Sequence, residues 1–391
     1  MRVFPANGLM ARNGYQIIDA DAHYLEPIEE LADYVDEPWR TRIKGVSPSR
    51  LLPRALGDRM LQGRIRRDDV DYGAAIGVSS RPQVLEIMRR LDVDATILVA
   101  NRLANFGHVS SRDLVVALAN GYIDYMIDQV ADPAQGIYTM PVLPWQAPEE
   151  AAEIVQRVGS NPAVVAVCFM TAGPNPPLGD IRYDPIFDAA QACDLPIVFH
   201  SAPGLTLVEG SSPVDGFQRL LEGQSTGFLI SNIAQLTSVL IQGLPERFPK
   251  LRFLFQEAGI YWVPLMMQRL DSYYLMRREE APLLKGLPSE YILERFYFGT
   301  QPLEAPRDPR HLEAILDMFD GRRHCVFSTD YPHFDYDDPV VVNRLSFLSK
   351  EDKRNIFAGN AHRLFNFRKG GIQPWESTSS EVSPTSQKTP A

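Results

Sequence analysis

The chain is poor in several features that mark specialised protein classes. Its three cysteines among 391 residues, Cys168, Cys193 and Cys325, are odd in number, far apart and form no C-x-x-C pair. That excludes a disulfide framework and a thiolate metal site. Cys168 and Cys325 stand inside apolar runs and read as buried thiols. The longest apolar run, around Val164 to Met170, is far too short to span a bilayer. Met1 to Gln16 lacks the apolar centre of a secretion signal. An excess of basic residues is also missing: 39 Lys and Arg stand against 49 Asp and Glu, a net charge of −10. No basic face is implied for nucleic acid or for an anionic membrane. The expectation is a cytoplasmic protein that acts on a small molecule, with no nucleic-acid or membrane partner.

What is present is enough apolar residue for a full core, 45% against 23% charged. Short β-branched or aromatic runs recur at Tyr15–Asp21, Ala95–Ala100, Gly136–Val142, Val164–Met170, Leu195–His200, Leu251–Glu257, Arg295–Thr300 and His324–Asp330. Near-continuous apolar stretches of this kind suit strands buried on both faces. Helical patterns lie between them. Leu114, Ala117, Leu118, Tyr122 and Met126 make one stripe, and Trp262, Met266 and Leu270 make another. Ser349 and Asp352 have the spacing of a capping box that opens the last helical region.

Eight alternating units without an internal repeat predict an α/β fold, a single (β/α)8 TIM barrel over residues 15–369. The rival, a doubly wound open sheet, should carry a glycine-rich loop after the first strand, and Asp21 to Glu26 contains no glycine. Three regions fall outside the repeat: an N-terminal arm (1–14), an insertion (27–84) and a tail (370–391). The insertion follows the first strand, holds Pro38, Pro48, Pro53, Arg64, Arg66 and Arg67, and is expected to serve as a lid or dimer element. The tail, rich in Ser, Thr and Pro, is expected to be disordered.

Functional side chains of such barrels gather at the C-terminal strand ends. The first run ends in Asp19-Ala20-Asp21-Ala22-His23, the fifth in His200, the sixth in Glu257 and the eighth in Asp330. Strict alternation places Asp19, Asp21 and His23 on one face. Burying such carboxylates without a cation costs several kcal/mol each, and a divalent metal offsets that cost. Histidine with carboxylate suits Zn, Mn, Fe or Co. Any one of these residues alone would more simply cap a strand; their convergence at four strand ends carries the inference.

The motifs Asp19-Ala20-Asp21-Ala22-His23-Tyr24-Leu25-Glu26-Pro27, Tyr183-Asp184-Pro185-Ile186-Phe187 and Leu195-Pro196-Ile197-Val198-Phe199-His200 carry a resemblance. Glu257-Ala258-Gly259-Ile260-Tyr261-Trp262-Val263-Pro264, Arg269-Leu270-Asp271, Ser328-Thr329-Asp330-Tyr331-Pro332-His333 and Gly359-Asn360-Ala361 extend it. The chain resembles the amidohydrolase superfamily, in the branch of aminocarboxymuconate semialdehyde decarboxylase and the aromatic acid decarboxylases. The resemblance implies metal ligation by Asp21, His23 and His200, with Asp330 a ligand or a proton carrier for metal-bound water. It also implies a homodimer.

One position departs from the pattern. Where these decarboxylases often carry a catalytic histidine, this chain has Glu257, which reads as a general base, a ligand of one or two metal ions, or a carboxylate orienting His200. The implied chemistry is hydrolysis or decarboxylation of a carboxylated or aromatic small molecule, with Asp330, Glu257 and His200 as the catalytic set and one or two Zn, Mn or Fe ions. Oxygenation at an iron or di-iron site, or a ring-forming tailoring step of natural-product biosynthesis, is the alternative. A catalytically dead binding protein is disfavoured by the intact ligand set.

Other signals are weaker. Asn101, at the end of strand two, Trp262 and His333 are candidate substrate contacts, His333 also as a neighbour of Asp330. His324 starts strand eight, at the wrong end of the barrel, and reads as structural. Gly223-Gln224-Ser225-Thr226-Gly227 matches the serine-hydrolase G-x-S-x-G. That motif needs a preceding strand, and Phe217 to Glu222 reads as helical.

Overall fold

The computed structural model describes residues 14–46, 51, 78–202, 217, 219–367 and 371–374. Eight parallel strands alternate with helices. The strands are β1 (Ile18–Tyr24), β2 (Ala95–Ala100), β3 (Ile137–Thr139), β4 (Val167–Met170), β5 (Ile197–His200), β6 (Phe253–Gln256), β7 (Phe296–Gly299) and β8 (Cys325–Val326). The principal helices that follow them are α1 (Arg81–Leu91), α2 (Arg112–Tyr125), α3 (Pro148–Val158), α4 (Asp184–Ala192), α5 (Leu220–Ile241), α6 (Trp262–Met276), α7 (Pro309–Met318) and α8 (Lys350–Arg354). Local chemistry starts several of them. Pro148 opens α3 with Glu149 and Glu150 in its first turn. At α8, Ser349 Oγ accepts from the Asp352 amide and Asp352 Oδ2 accepts from the Ser349 amide, the expected capping box.

The ladders form two sheets, β1-β2-β3 and β4-β5-β6-β7-β8, all parallel. Short bridges join them into one ring. Thr139 pairs with Val164 and Val142 with Cys168 at one seam. At the other, Ala22 pairs with Tyr331, Ala20 N donates to Phe327 O at 2.9 Å and His23 N donates to Tyr331 O at 2.8 Å. The ring is the predicted barrel, closed by bridges where β3 and β8 are too short for full ladders.

Outside the ring an aromatic layer fills the gap to the helices. Phe199 lies 4.7 Å from Phe255 and Phe253 lies 4.6 Å from Phe296 between ring centroids, all four buried. Pairs of this kind add about 0.5–1.5 kcal/mol beyond their area burial. On the other face of the same strands, register sets Met170, His200 and Gln256 level with one another. Gln256 Nε2 reaches across to Ala20 O at 2.6 Å.

The described start of the insertion, residues 27–46, packs on the flank of α2: an added Cβ at Gly121 would meet Val35 Cγ2 at 2.4 Å. Helix α1 begins at Arg81, inside the range assigned to the insertion. Arg64, Arg66, Arg67, the arm before Gly14 and the tail beyond residue 374 lie outside the described residues. Among the described residues, no helix is long and apolar enough to cross a membrane. Gly223–Gly227 falls inside α5, where Ser225 Oγ donates back to Leu221 O, so no strained nucleophile turn exists there.

Candidate metal centre

The strand ends bring Asp21, His23, His200, Glu257, Asp330 and His333 together at one end of the barrel, each no more than 3% exposed. His23 lies in β1, and His200 is the last residue of β5. Glu257 follows β6 by one residue, while Asp330 sits in the loop beyond β8 rather than at its end. Glu257 and Asp330 share an uncommon backbone, each with φ of 59°. The left-handed region is uncommon for residues with a Cβ, and Asp enters it more readily than Glu. It ends each strand and sets each carboxylate among the histidines.

The contacts are close. His200 Nε2 lies 3.2 Å from Asp21 Oδ1, and His23 Nε2 lies 3.0 Å from Asp330 Oδ1. His333 Nδ1 is 2.6 Å from Asp330 Oδ1, and Glu257 Oε2 is 3.7 Å from His200 Nδ1. The atoms fall into two overlapping groups, Asp21–His23–His200 and His23–Glu257–Asp330–His333, each able to place one ligand atom per residue within 4.8 Å of all the others. Those separations suit coordination to a divalent ion at about 2.0–2.2 Å.

Neighbours orient the ligands. His200 Nδ1 donates to Ser201 O at 2.6 Å, which leaves the Nε2 lone pair turned toward Asp21. Ser201 Oγ donates to the Gln256 and Glu257 carbonyls, and Asn232 Nδ2 donates to Ser201 Oγ and Gln256 O. Gln301 Nε2 donates to Asp330 Oδ2 at 3.0 Å. Asp21 Oδ2 is buried with no hydrogen bond among the described residues. A lone pair facing a carboxylate, beside a buried carboxylate oxygen without a donor, is an arrangement that a cation completes. With no cation, burial pulls the His200 pKa down. The Asp21 contact and the Glu257 carboxylate more than offset this and raise it to about 9.

Asp19 is not with this group, contrary to the alternation expected for β1. The pairing runs Asp19 with Thr96, then Ala22 with Leu98, so β1 holds one extra residue between them. This bulge resets the alternation and leaves Asp19 on the opposite face from His23. It lines a cavity of about 20 Å³ with Val84, Met88, Leu91, Thr96 and Leu98, which Ala22 and His23 also border. Its carboxylate accepts from Thr329 N at 2.8 Å, Thr329 Oγ1 at 2.5 Å and Asp21 N at 3.1 Å. It therefore ties the backbone of one ligand strand to the residue preceding Asp330.

Burial raises the Asp19 pKa from 3.8 to about 7, against the lowering effect of the Thr329 bonds. A raised carboxyl stabilises the fold fully below pH 3.8, and that contribution is lost as pH climbs through 7. Relative to Asp19→Asn, the wild type should lose roughly 4 kcal/mol between those limits. Urea unfolding of both proteins from pH 4 to 8 checks this, and parallel curves would contradict it.

Of the candidate substrate contacts, Asn101 and His333 meet: His333 Nε2 lies 3.1 Å from Asn101 Oδ1. Trp262 is not brought to the group. It is 4% exposed, its Nε1 donates to Gly259 O and its ring packs edge-on against Phe255 and Phe298, so it belongs to the aromatic layer. His324 Nδ1 lies 2.7 Å from Phe296 O, away from the ligands.

A parallel eight-stranded barrel whose strand ends gather histidines and carboxylates is the scaffold of metal-assisted catalysis on small molecules. The chain belongs to the amidohydrolase family, whose sequence model matches residues 18–367. A gamma-resorcylate decarboxylase of a Polaromonas species is 26% identical over 260 residues, covering 63% of this chain and 75% of the relative. That of a Rhizobium species is 24% identical over 298 residues, covering 72% and 85%.

Solved structures share the fold. A Mycobacterium avium subsp. paratuberculosis amidohydrolase superposes with a TM-score of 0.67 at 18% identity, over 92% of this chain and 99% of the other. A 2,6-dihydroxybenzoate decarboxylase from Rhizobium gives 0.66 at 19% identity, over 90% and 98%. A 5-carboxyvanillate decarboxylase of Novosphingobium aromaticivorans, solved with manganese and 4-hydroxy-3-methoxy-5-nitrobenzoic acid, gives 0.64 at 17% identity, over 90% and 96%.

Proposed function

We propose that the protein is a metal-dependent carboxy-lyase that removes the carboxylate from a hydroxylated benzoate. The observation that carries this reading is the pairing of buried imidazoles and carboxylates, Asp21 with His200 and Asp330 with His23, at the mouth of the barrel. The relatives named above act, by their names, on benzoates with a hydroxyl next to the carboxylate.

Asp21, His23 and His200 would hold a divalent ion, and the chemistry it would supply is positive charge beside the carboxylate and phenol oxygens of the substrate. Asp330 holds one oxygen against His333 and the other against Gln301, so its plane is fixed. It is the group suited to draw a proton from a water at the mouth and pass it to the ring carbon that loses CO2. Asn101 orients His333 through Nε2. His200, fixed by Ser201 O, keeps its tautomer throughout.

Hydrolysis would need a water to attack a carbonyl, and oxygenation would place oxygen on the product. Decarboxylation places only a proton on the ring. Turnover of 2,6-dihydroxybenzoate in D2O should therefore yield resorcinol carrying deuterium at the carbon that bore the carboxylate, read by NMR. A product hydroxylated at that carbon would favour the iron oxygenase instead, and no turnover of any ortho-hydroxybenzoate by metal-loaded protein would overturn the proposal.

A further inference from the structure

We infer that the mouth carries a subsite for a ring hydroxyl para to the substrate carboxylate, built by Gln224, Gln301 and Asp335. This rests on the proposal that the substrate is a hydroxylated benzoate. Three observations carry it.

The first is a row of side chains that starts at Asp330. Gln301 Nε2 donates to Asp330 Oδ2 at 3.0 Å and to Asp335 O at 3.3 Å. Gln224 Nε2 donates to Asp335 Oδ2 at 3.5 Å. Gln301 follows β7, Asp335 lies in the loop beyond β8 and Gln224 is near the start of α5, so three elements converge on the row. Gln301 is fully buried, whereas Asp335 and Gln224 are half-buried. The row therefore leads from the buried centre toward the rim. With the carboxylate and its neighbouring hydroxyl turned to the histidines, the para position is the part of the ring farthest from them, on the side where the row ends.

The second is a set of acceptors without donors. Gln301 Oε1, Gln224 Oε1 and Asp335 Oδ1 are buried and have no hydrogen-bond partner among the described residues. The Gln301 amide is fixed in this sense, because its oxygen, turned the other way, would face the Asp330 carboxylate and the Asp335 carbonyl. Buried acceptors left unmet are costly, and an O–H group meets them.

The third is the link between Gln224 and Asp335. At 3.5 Å it stands at the limit of a hydrogen bond, between two side chains that both reach toward solvent. A hydroxyl set between them accepts from Gln224 Nε2 and donates to the Asp335 carboxylate, so one long contact gives way to two bonds. A methoxy oxygen in the same place can only accept, and a bare C–H does neither. The Asp335 charge also turns away a second carboxylate on the ring. The pair thus selects a hydroxyl over the substituents nearest to it in size.

The test is kcat/KM of Mn(II)-loaded protein for 2,4-dihydroxybenzoate, 2-hydroxy-4-methoxybenzoate and 2-hydroxybenzoate. The first should exceed the other two by about 100-fold. Asp335→Ala and Gln224→Met should each shrink that preference to roughly threefold or less, with bound Mn(II) unchanged. Loss of packing alone lowers all three acids together and leaves the ratio where it was. If one variant fails to fold, the other carries the comparison. Equal kcat/KM for the three acids in the wild type, or a preference that survives both substitutions, would overturn the subsite and leave the carboxy-lyase reading standing. Absence of turnover with every acid would overturn that reading, and calorimetric Kd values for the same acids then decide the subsite. Binding of 2,4-dihydroxybenzoate about 100-fold tighter than the other two upholds it, and equal values overturn it.

Discussion

Asp330→Asn and His200→Ala each lower turnover roughly a thousandfold or more while leaving the barrel folded. The two substitutions act differently. His200 is 1% exposed and its Nε2 faces Asp21. Its removal takes away one of the three donors of the first group, so bound metal falls along with turnover. Asp330→Asn keeps the shape of the side chain and its contact with Gln301, but it removes the charge beside His23 and His333 and the capacity to carry a proton. Metal at the first group should therefore survive Asp330→Asn better than turnover does. Equal retention of turnover in both variants contradicts the site.

Metal binding should strengthen steeply with pH. In the ion-free protein the His200 pKa stands at about 9, because Asp21 and Glu257 favour its protonated form more than burial opposes it. A metal ion must displace that proton, so apparent affinity rises up to about tenfold per pH unit and about 50-fold from pH 7 to 9. Stability of the ion-free fold moves the other way. A histidine raised from 6.5 to about 9 contributes fully below pH 6.5 and loses that contribution as pH rises through 9. The loss is roughly 3 kcal/mol. The increase in melting temperature caused by Mn(II) should thus widen across pH 6.5–9, and His200→Ala should flatten it. Calorimetric titration and thermal melts over that range check both halves, and a shift independent of pH contradicts the proton competition.

Much of this site was legible because its residues fall where strands end. His200 closes an apolar run and His23 sits two residues from Asp21, so a barrel with ligands at its mouth followed from strand periodicity. Asp19 was misplaced because a single extra residue in β1 inverts the alternation, and nothing in Asp19-Ala20-Asp21-Ala22 announces a bulge. Trp262 looked like a mouth residue because it lies five positions beyond Glu257. The Gly259 carbonyl satisfies its indole N–H, and that freed the ring to join the aromatic layer. His333 was visible as a candidate substrate contact and as a neighbour of Asp330, not as a ligand. Its place among the ligands depends on the left-handed turn at Asp330, which sequence pattern does not encode. The insertion start was legible as an extra segment but not as a partner of α2, because its docking rests on the close approach of Val35 to Gly121.

We propose that this centre releases CO2 from a hydroxylated benzoate with the help of a divalent ion. The most direct measurement is CO2 evolved per aromatic acid consumed by Mn(II)-loaded protein offered 2,6-dihydroxybenzoate under argon, with chelator-stripped protein and Asp330→Asn alongside. One CO2 per acid consumed is expected from the loaded wild type and none above background from the other two. Equal release from stripped and loaded protein, or consumption of the acid that requires oxygen and yields no CO2, would contradict it.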